Sequence, residues 1–160
     1  MKKNIVIAAL LSLCMYGTSA SAGEVLFGAK AGLVDFNTSN SDPAINGGIM
    51  IGKDFWRLGI FKAGIEGEFT TSVVDGEIDN TDADFQSLGG YGYIRSRGPV
   101  YFIGRLGIVS AEVGDVADDT DISIGAGVGF RGLGLDWEVE YTQYEVETYD
   151  VDMISVGILF

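Results

Sequence analysis

The sequence predicts an all-β chain, an eight-stranded antiparallel up-and-down transmembrane β-barrel. Three observations predict it. After residue 23, apolar residues recur at every second position through most of the chain, the period of a strand with two unlike faces. The segments with this period are joined alternately by short and long connections, as in a meander of antiparallel neighbours. The face opposite the apolar one is built of glycine with isolated charges of both signs. A soluble barrel would instead show water a coat of Lys, Glu, Ser and Thr.

The first segment stands apart. MKKNIVIAALLSLCMYGTSASA has a basic start at Lys2 and Lys3, an apolar run from Ile5 to Tyr16, and Ala20-Ser21-Ala22 at its end. That order predicts a secretory signal peptide over residues 1–22 with an A-x-A cleavage site. The apolar run is too short for a permanent membrane helix. Leu11-Ser12-Leu13-Cys14 is a poor lipoprotein box, because Leu13 is bulky where a small residue belongs. Cys14 is the only cysteine, so the mature chain, residues 23–160, has no thiol chemistry.

Strands follow in order. EVLFGAKAGLVDF sets Val25, Phe27, Ala29, Ala31 and Leu33 on one face, with Gly28, Lys30 and Gly32 on the other. AINGGIMIGKDF opposes Ile45, Ile49 and Ile51 to Asn46, Gly48, Gly52 and Asp54. IFKAGIEGEFT opposes Phe61, Ala63, Ile65 and Phe69 to Lys62, Gly64, Glu66 and Glu68. FQSLGGYGYIR reads as a strand whose faces the pattern does not assign. VYFIGRLGIVS opposes Phe102, Leu106 and Ile108 to Arg105 and Gly107. ISIGAGVGFR opposes Ile124, Ala126, Val128 and Phe130 to Ser123 and three glycines. LDWEVEYTQY opposes Leu135, Trp137, Val139 and Tyr141 to Asp136, Glu138, Glu140 and Thr142. The last strand, VDMISVGILF, sets Ile154, Val156, Ile158 and Phe160 on one face.

The long connections are NTSNSDP, SVVDGEIDNTDAD, EVGDVADDTD and EVETYD; the short ones lie around Phe55-Trp56-Arg57, Ser96–Pro99 and Gly132–Gly134. In a narrow lumen, glycines leave room for long charged side chains from opposite walls to neutralise one another. Lys30, Lys62, Arg105, Glu66, Glu68, Glu138 and Glu140 are therefore expected to form an ionic network inside the barrel. Aromatic residues support this sidedness. Phe27, Phe55, Trp56, Phe102, Phe130, Trp137 and Phe160 fall near the short-turn end, and Phe36, Phe69, Phe85 and Tyr144 near the other. Two such belts are expected at membrane interfaces.

From EVLFGAKAGLV through GYGYIRSRGPVYFIGRLGI and ISIGAGVGFRGLGLDWEVEYT to SVGILF, the chain resembles the small eight-stranded outer-membrane barrels of Gram-negative bacteria, of OmpA/OmpX type. The resemblance implies residence in the cell outer membrane, short turns in the periplasm and long loops outside. It implies contact with outer-membrane lipid and lipopolysaccharide, and insertion by the barrel assembly machinery, which reads a C-terminal signature matched by Ile158 and Phe160. Ser155 stands where that signature prefers Gly. No periplasmic domain is expected, and the barrel is expected to be a monomer.

Composition narrows the chemistry. Gly at 24 and Pro at 2 argue against disorder. The formal charge of −13 becomes more negative once Lys2 and Lys3 leave, so phosphate-driven nucleic-acid binding is excluded. There is no histidine, the commonest general base and metal ligand. The barrel acyl-transfer enzymes and lipases near the resembled family rely on that residue. Glu66/Glu68 and Glu138/Glu140 have the look of glycosidase carboxylates, yet ion pairing with the lumen cations explains them better. Gly125-Ala126-Gly127-Val128-Gly129 lies within a strand and lacks the helix and Lys of a nucleotide loop. No cofactor and no enzymatic activity are expected.

The expected function is a structural outer-membrane barrel with acidic external loops, serving envelope integrity or surface interaction. A narrow pore for ions or small solutes, a soluble periplasmic lipocalin-like binder and an adhesin are the alternatives. The long connections hold acidic residues from Asp42 to Asp152 and no Lys or Arg. Their plain reading is a hydrated surface. The rival reading is divalent-cation capture, bridging to lipopolysaccharide phosphates, with Asp75, Glu77, Asp79, Asp115, Asp118 and Asp119 as candidates. DGEIDNTDAD departs from the EF-hand pattern at Asn80, where a turn Gly belongs, and at Gln86, where the bidentate Glu belongs. The hydration reading expects no binding heat when the folded barrel is titrated with millimolar calcium in a calorimeter; heat would favour capture.

Overall fold

The computed structural model describes residues 25–38, 40–79, 81–114, 117–132, 134–146 and 149–160; the leader lies outside them. Eleven strands occur among the described residues: β1 Val25–Asp35, β2 Ser41–Asp42, β3 Ala44–Leu58, β4 Phe61–Val74, β5 Gly76–Ile78, β6 Thr81–Ala83, β7 Phe85–Ser96, β8 Val100–Val113, β9 Ala117–Gly132, β10 Leu135–Val146 and β11 Tyr149–Leu159. Eight close into a barrel in the order β1-β11-β10-β9-β8-β7-β4-β3, every neighbouring pair antiparallel. The fold is the expected all-β, eight-stranded barrel.

Closure joins the two ends of the chain. β11 pairs with β1 from Gly28↔Leu159 to Asp35↔Asp152. Beyond that ladder, the Phe27 and Phe160 backbones exchange hydrogen bonds of 3.0 and 2.8 Å. An unpaired edge in hydrocarbon would leave each N–H and C=O unsatisfied at several kcal/mol, so the last strand must run to its final residues. Ile158 and Phe160, on the outer wall, lie at this seam, with Ile158 opposite Ala29 and Trp137.

Alternation fixes sidedness. Apolar residues of the assigned faces point outward, with Ile49, Phe102 and Ile108 exposed by 65%, 69% and 67%. Lys30, Glu66, Glu68, Arg105, Glu138 and Glu140 are buried inside. An apolar wall this continuous is incompatible with water as the surrounding solvent. The soluble lipocalin-like alternative, which needs an apolar interior and a polar wall, is overturned.

Two expectations are corrected. The long connections are largely strand. The β8–β9 ladder runs out to Val113↔Ala117 and the β10–β11 ladder to Val146↔Tyr149, so the described residues of EVGDVADDTD and EVETYD are largely paired strand. SVVDGEIDNTDAD extends β4 and then forms β5 and β6, which join β2 in a separate three-stranded sheet. A run of acids reads as loop by composition, yet a paired backbone satisfies its own hydrogen bonds whatever side chains it carries into water.

The second correction concerns the loop-end aromatics. Phe36, Phe85 and Tyr144 are buried within the barrel mouth, not ranged around it. The Phe85 and Tyr144 rings lie 5.2 Å apart, tilted by 58°. With Val34, Val113, Val151 and Met153 they form an apolar plug, which Ala83 of the small sheet joins and Ile78 packs against. Phe69 alone of the four faces outward, half-buried. The turn-end belt does exist: Phe27, Phe55, Trp56, Phe102, Phe130 and Phe160 are exposed, and Phe130 stacks on Trp137 at 6.2 Å.

Glycine on the inner wall leaves room for rings more than for charges. A Cβ at Gly129 would run into the Tyr101 ring, whereas one at outward-facing Gly104 would meet nothing nearer than Ile94 Cγ2 at 3.8 Å. Gly129→Ala is expected to cost about 1–3 kcal/mol of stability by overpacking. Gly104→Ala is expected to stay within about 0.5 kcal/mol of the parent. Urea unfolding in detergent micelles, followed by tryptophan fluorescence, measures both.

Candidate functional site

The centre of the lumen is built by four strands that each contribute at mid-length. Arg105 of β8 reaches across the barrel, its Nη1 donating to Glu66 Oε1 at 2.5 Å and to Glu68 Oε2 at 2.7 Å, both on β4. Its Nη2 donates to Glu140 on β10. Lys30 of β1 completes the group, with Nζ 2.7 Å from Glu68 Oε1 and 3.8 Å from Glu140 Oε1. The guanidinium also lies over the Tyr91 ring, 4.5 Å from its centroid. Gly125 makes room for it, since a Cβ there would sit 3.4 Å from Arg105 Nε.

A second group sits nearer the turns. Arg95 of β7 pairs with Glu138 at 2.9 Å, which also accepts from Tyr101 Oη at 2.9 Å. Asp54 of β3 pairs with Lys62 at 2.9 Å and accepts from Tyr93 Oη at 2.6 Å. Arg95 lies 5.0 Å from the Tyr93 ring centroid and 5.4 Å from that of Tyr101. Of the seven residues the sequence assigns to one network, Lys62 and Glu138 therefore belong to this lower group, with other partners than expected. The remaining five converge in the centre.

Sequence reasoning missed Arg95 and the inner tyrosines. On β7 the inward positions are Phe85, Ser87, Gly89, Tyr91, Tyr93 and Arg95, and the outward ones include Gly90 and Gly92. With glycines facing lipid and rings facing the lumen, the usual alternation is inverted. The signal that could have found the faces was the charge, since an inward Arg95 puts Tyr93 and Tyr91 on the same face by the period of two.

Above the central group the apolar plug closes the loop end. The lumen thus has three tiers: plug, central cluster, and the Arg95–Glu138 and Lys62–Asp54 pairs. Within it Lys30, Lys62, Arg95 and Arg105 face Asp54, Glu66, Glu68, Glu138 and Glu140, so the charges nearly cancel.

The acidic candidates outside the lumen are not gathered. Asp115 and the Asp118 side chain lie outside the described residues. Asp75, Glu77 and Asp79 are exposed; Asp79 takes a left-handed turn conformation, φ 52°, and accepts from Asn40 at 3.3 Å. Asp119 bonds the Thr120 backbone N–H at 2.7 Å. Register aligns Asp42, Glu77 and Asp82 across the small sheet. No group of three or more His, Cys, Asp or Glu able to hold a metal ion occurs among the described residues.

Solved structures match this architecture over most of their length. Neisserial surface protein A, NspA, is 19% identical with a TM-score of 0.55, covering 87% of this chain and 98% of that one. Ail, the attachment invasion locus protein of Yersinia pestis, solved with the heparin analogue sucrose octasulfate, is 17% identical with a TM-score of 0.52, covering 86% and 97%. The outer membrane enzyme PagL is 12% identical with a TM-score of 0.56, covering 84% and 98%. The chain has the fold of a small outer-membrane β-barrel. No protein-family model and no curated protein matches the sequence. At these identities the likeness is one of fold, and it agrees with the apolar wall on the outer membrane as the location.

Breaking a buried ion pair strands its partners, at about 3–5 kcal/mol. Arg105→Ala leaves three carboxylates facing Lys30 alone. It is expected to lower the melting temperature of the folded barrel in detergent without abolishing insertion, judged by the heat-dependent gel shift. Lys62→Met, at the partly open edge of the lower group, is expected to have the smaller effect.

Proposed function

We propose that this chain is a closed, non-enzymatic structural barrel of the outer membrane, a monomer that contributes to envelope integrity and presents a rigid acidic surface outside the cell. The observation that carries this reading is Arg105, which ties β8 to β4 and β10 across the middle of the lumen. With the plug above and the Arg95–Glu138 pair below, a solute would have to break several charge-assisted bonds between buried side chains to pass. That supports a closed barrel over the pore alternative. The paired carboxylates are all occupied by cations or by tyrosine or threonine hydroxyls, and there is no histidine; both features support the non-enzymatic reading.

The partners follow from the surfaces. The outward wall suits outer-membrane lipid and the acyl chains of lipopolysaccharide, and the acidic hairpins suit a hydrated exterior. Acidic hairpins would repel a polyanion such as the heparin analogue found with Ail. Ile158 and Phe160, beside the closing seam, suit recognition by the barrel assembly machinery. Planar-bilayer recording tests the central claim. The parent barrel is expected to show no discrete conductance steps. Steady single-channel steps from the parent would refute the closed lumen.

A further inference from the structure

At the loop end β9 outruns its neighbour β10. The β9–β10 ladder stops at Ser123↔Tyr144, while the β8–β9 ladder continues to Val113↔Ala117. On the far side β7 covers β8 as far as Phe85↔Val113, so that side of the pair is closed. Among the described residues, Ala117 to Ile122 of β9 are therefore paired on one side only. At about 3.3 Å per residue this leaves roughly 20 Å of free strand edge. A strand edge in water presents unpaired N–H and C=O groups on which another strand can add.

The common obstacles to such addition are absent from this stretch. It contains no proline and no lysine, and its register with β8 runs in unbroken steps. What it has instead is aspartate, a poor strand former, at alternate positions. Asp119 Oδ1 accepts from the Thr120 N–H at 2.7 Å, and Asp121 Oδ1 accepts from the Ile122 N–H at 2.6 Å. In an antiparallel ladder the N–H groups of alternate residues face the same side, so these two share one. Each is held by a side chain and not by β8, which makes the shared side the free edge. The carboxylates thus occupy the donors that an added strand would need. Ile122, 58% exposed beside them, is a residue type that would otherwise favour addition.

We propose that Asp119 and Asp121 shut the β9 edge to strand addition, an internal contact that keeps it from capturing a second copy of this chain. Occupation of the N–H groups, more than negative charge, is what shuts it. An incoming carbonyl has to displace an acceptor already tethered to the same strand, so addition gains little net hydrogen bonding. This rests on the monomeric barrel proposed above, and it accounts for a free edge that stands in water without dimerising.

The mature chain is folded in detergent micelles and its mass followed by light scattering as protein concentration rises. The parent and Asp119→Asn/Asp121→Asn, whose amide oxygens still accept, are expected to stay monomeric. Asp119→Ala/Asp121→Ala is expected to dimerise at concentrations at least about tenfold below any at which the other two associate, as two recovered backbone hydrogen bonds would give. Thr120→Cys added to the alanine chain, whose mature part has no other cysteine, should let a short thiol cross-linker trap that dimer. A folded alanine variant that stays monomeric overturns the proposal. So does an asparagine variant that dimerises as tightly as the alanine one, because charge would then be the barrier. If the alanine chain gives no folded band in the gel shift, Asp121→Ala alone and amide exchange of the parent decide. Thr120 and Ile122 protons slowed by about tenfold or more support the contact, and unprotected ones overturn it. A parent that dimerises refutes the monomeric reading, and this proposal with it if its Thr120→Cys form cross-links.

Discussion

Arg105 faces three carboxylates, and all four side chains are buried in the lumen. A charge moved from water into such an interior is destabilised by several kcal/mol after relaxation, and only geometry of the kind found around this guanidinium offsets that. The planar fork serves strands on both sides of the lumen at once, two bonds to β4 and two to β10, at Glu140 and Thr142, which a lysine's point charge could not do with the same geometry. Lys30 then neutralises what remains of Glu68 and Glu140. The barrel wall supplies the constraint and Arg105 the solution. Strands that share no ladder, β4, β8 and β10, are held at fixed separations by one side chain.

The tiers above and below follow from the same scarcity of water. Toward the turns, tyrosine hydroxyls complete the carboxylates that single cations leave half-satisfied, as Tyr101 does for Glu138 and Tyr93 for Asp54. Toward the loops the lumen abandons charge altogether for Phe36, Phe85, Tyr144 and Met153. The three-stranded sheet of β2, β5 and β6 covers that plug and shields it from the exterior. An open pore would need the opposite arrangement, with water-lined walls and displaceable charges.

How much of this was legible in the sequence depends on which rule governs each residue. Where lipid and lumen impose opposite chemistries on alternate positions, as at Ala29 and Lys30 or Val139 and Glu140, the period of two revealed both strand and face. Where the lumen itself is apolar, the rule loses its contrast. Phe36, Phe85 and Tyr144 read as belt residues because a ring near a strand end satisfies either description, and only packing decides between them. The acidic hairpins were hidden for another reason: composition reports solvent exposure, and an exposed hairpin and an exposed loop have the same composition. Pairing between distant strands, such as Arg95 with Glu138, depends on how far each strand is offset around the barrel, which no local pattern encodes.

Charge is also sorted along the barrel axis, and insertion physics gives a reason. Lys53, Arg57, Arg97 and Arg131 gather at the turn end, while the hairpins at the other end carry acids. One end has to cross hydrocarbon for the barrel to form. At the bilayer midplane a lipid-facing Arg or Lys costs about 2–4 kcal/mol and an acidic residue less, in part because a carboxylate can cross protonated. The acidic end is therefore the cheaper one to send through, and the cationic turns are the part best left behind. With Trp56 and Phe160 exposed beside those cations, the turn end is the costlier one to draw through hydrocarbon. The same asymmetry that eases insertion thus fixes the orientation it produces.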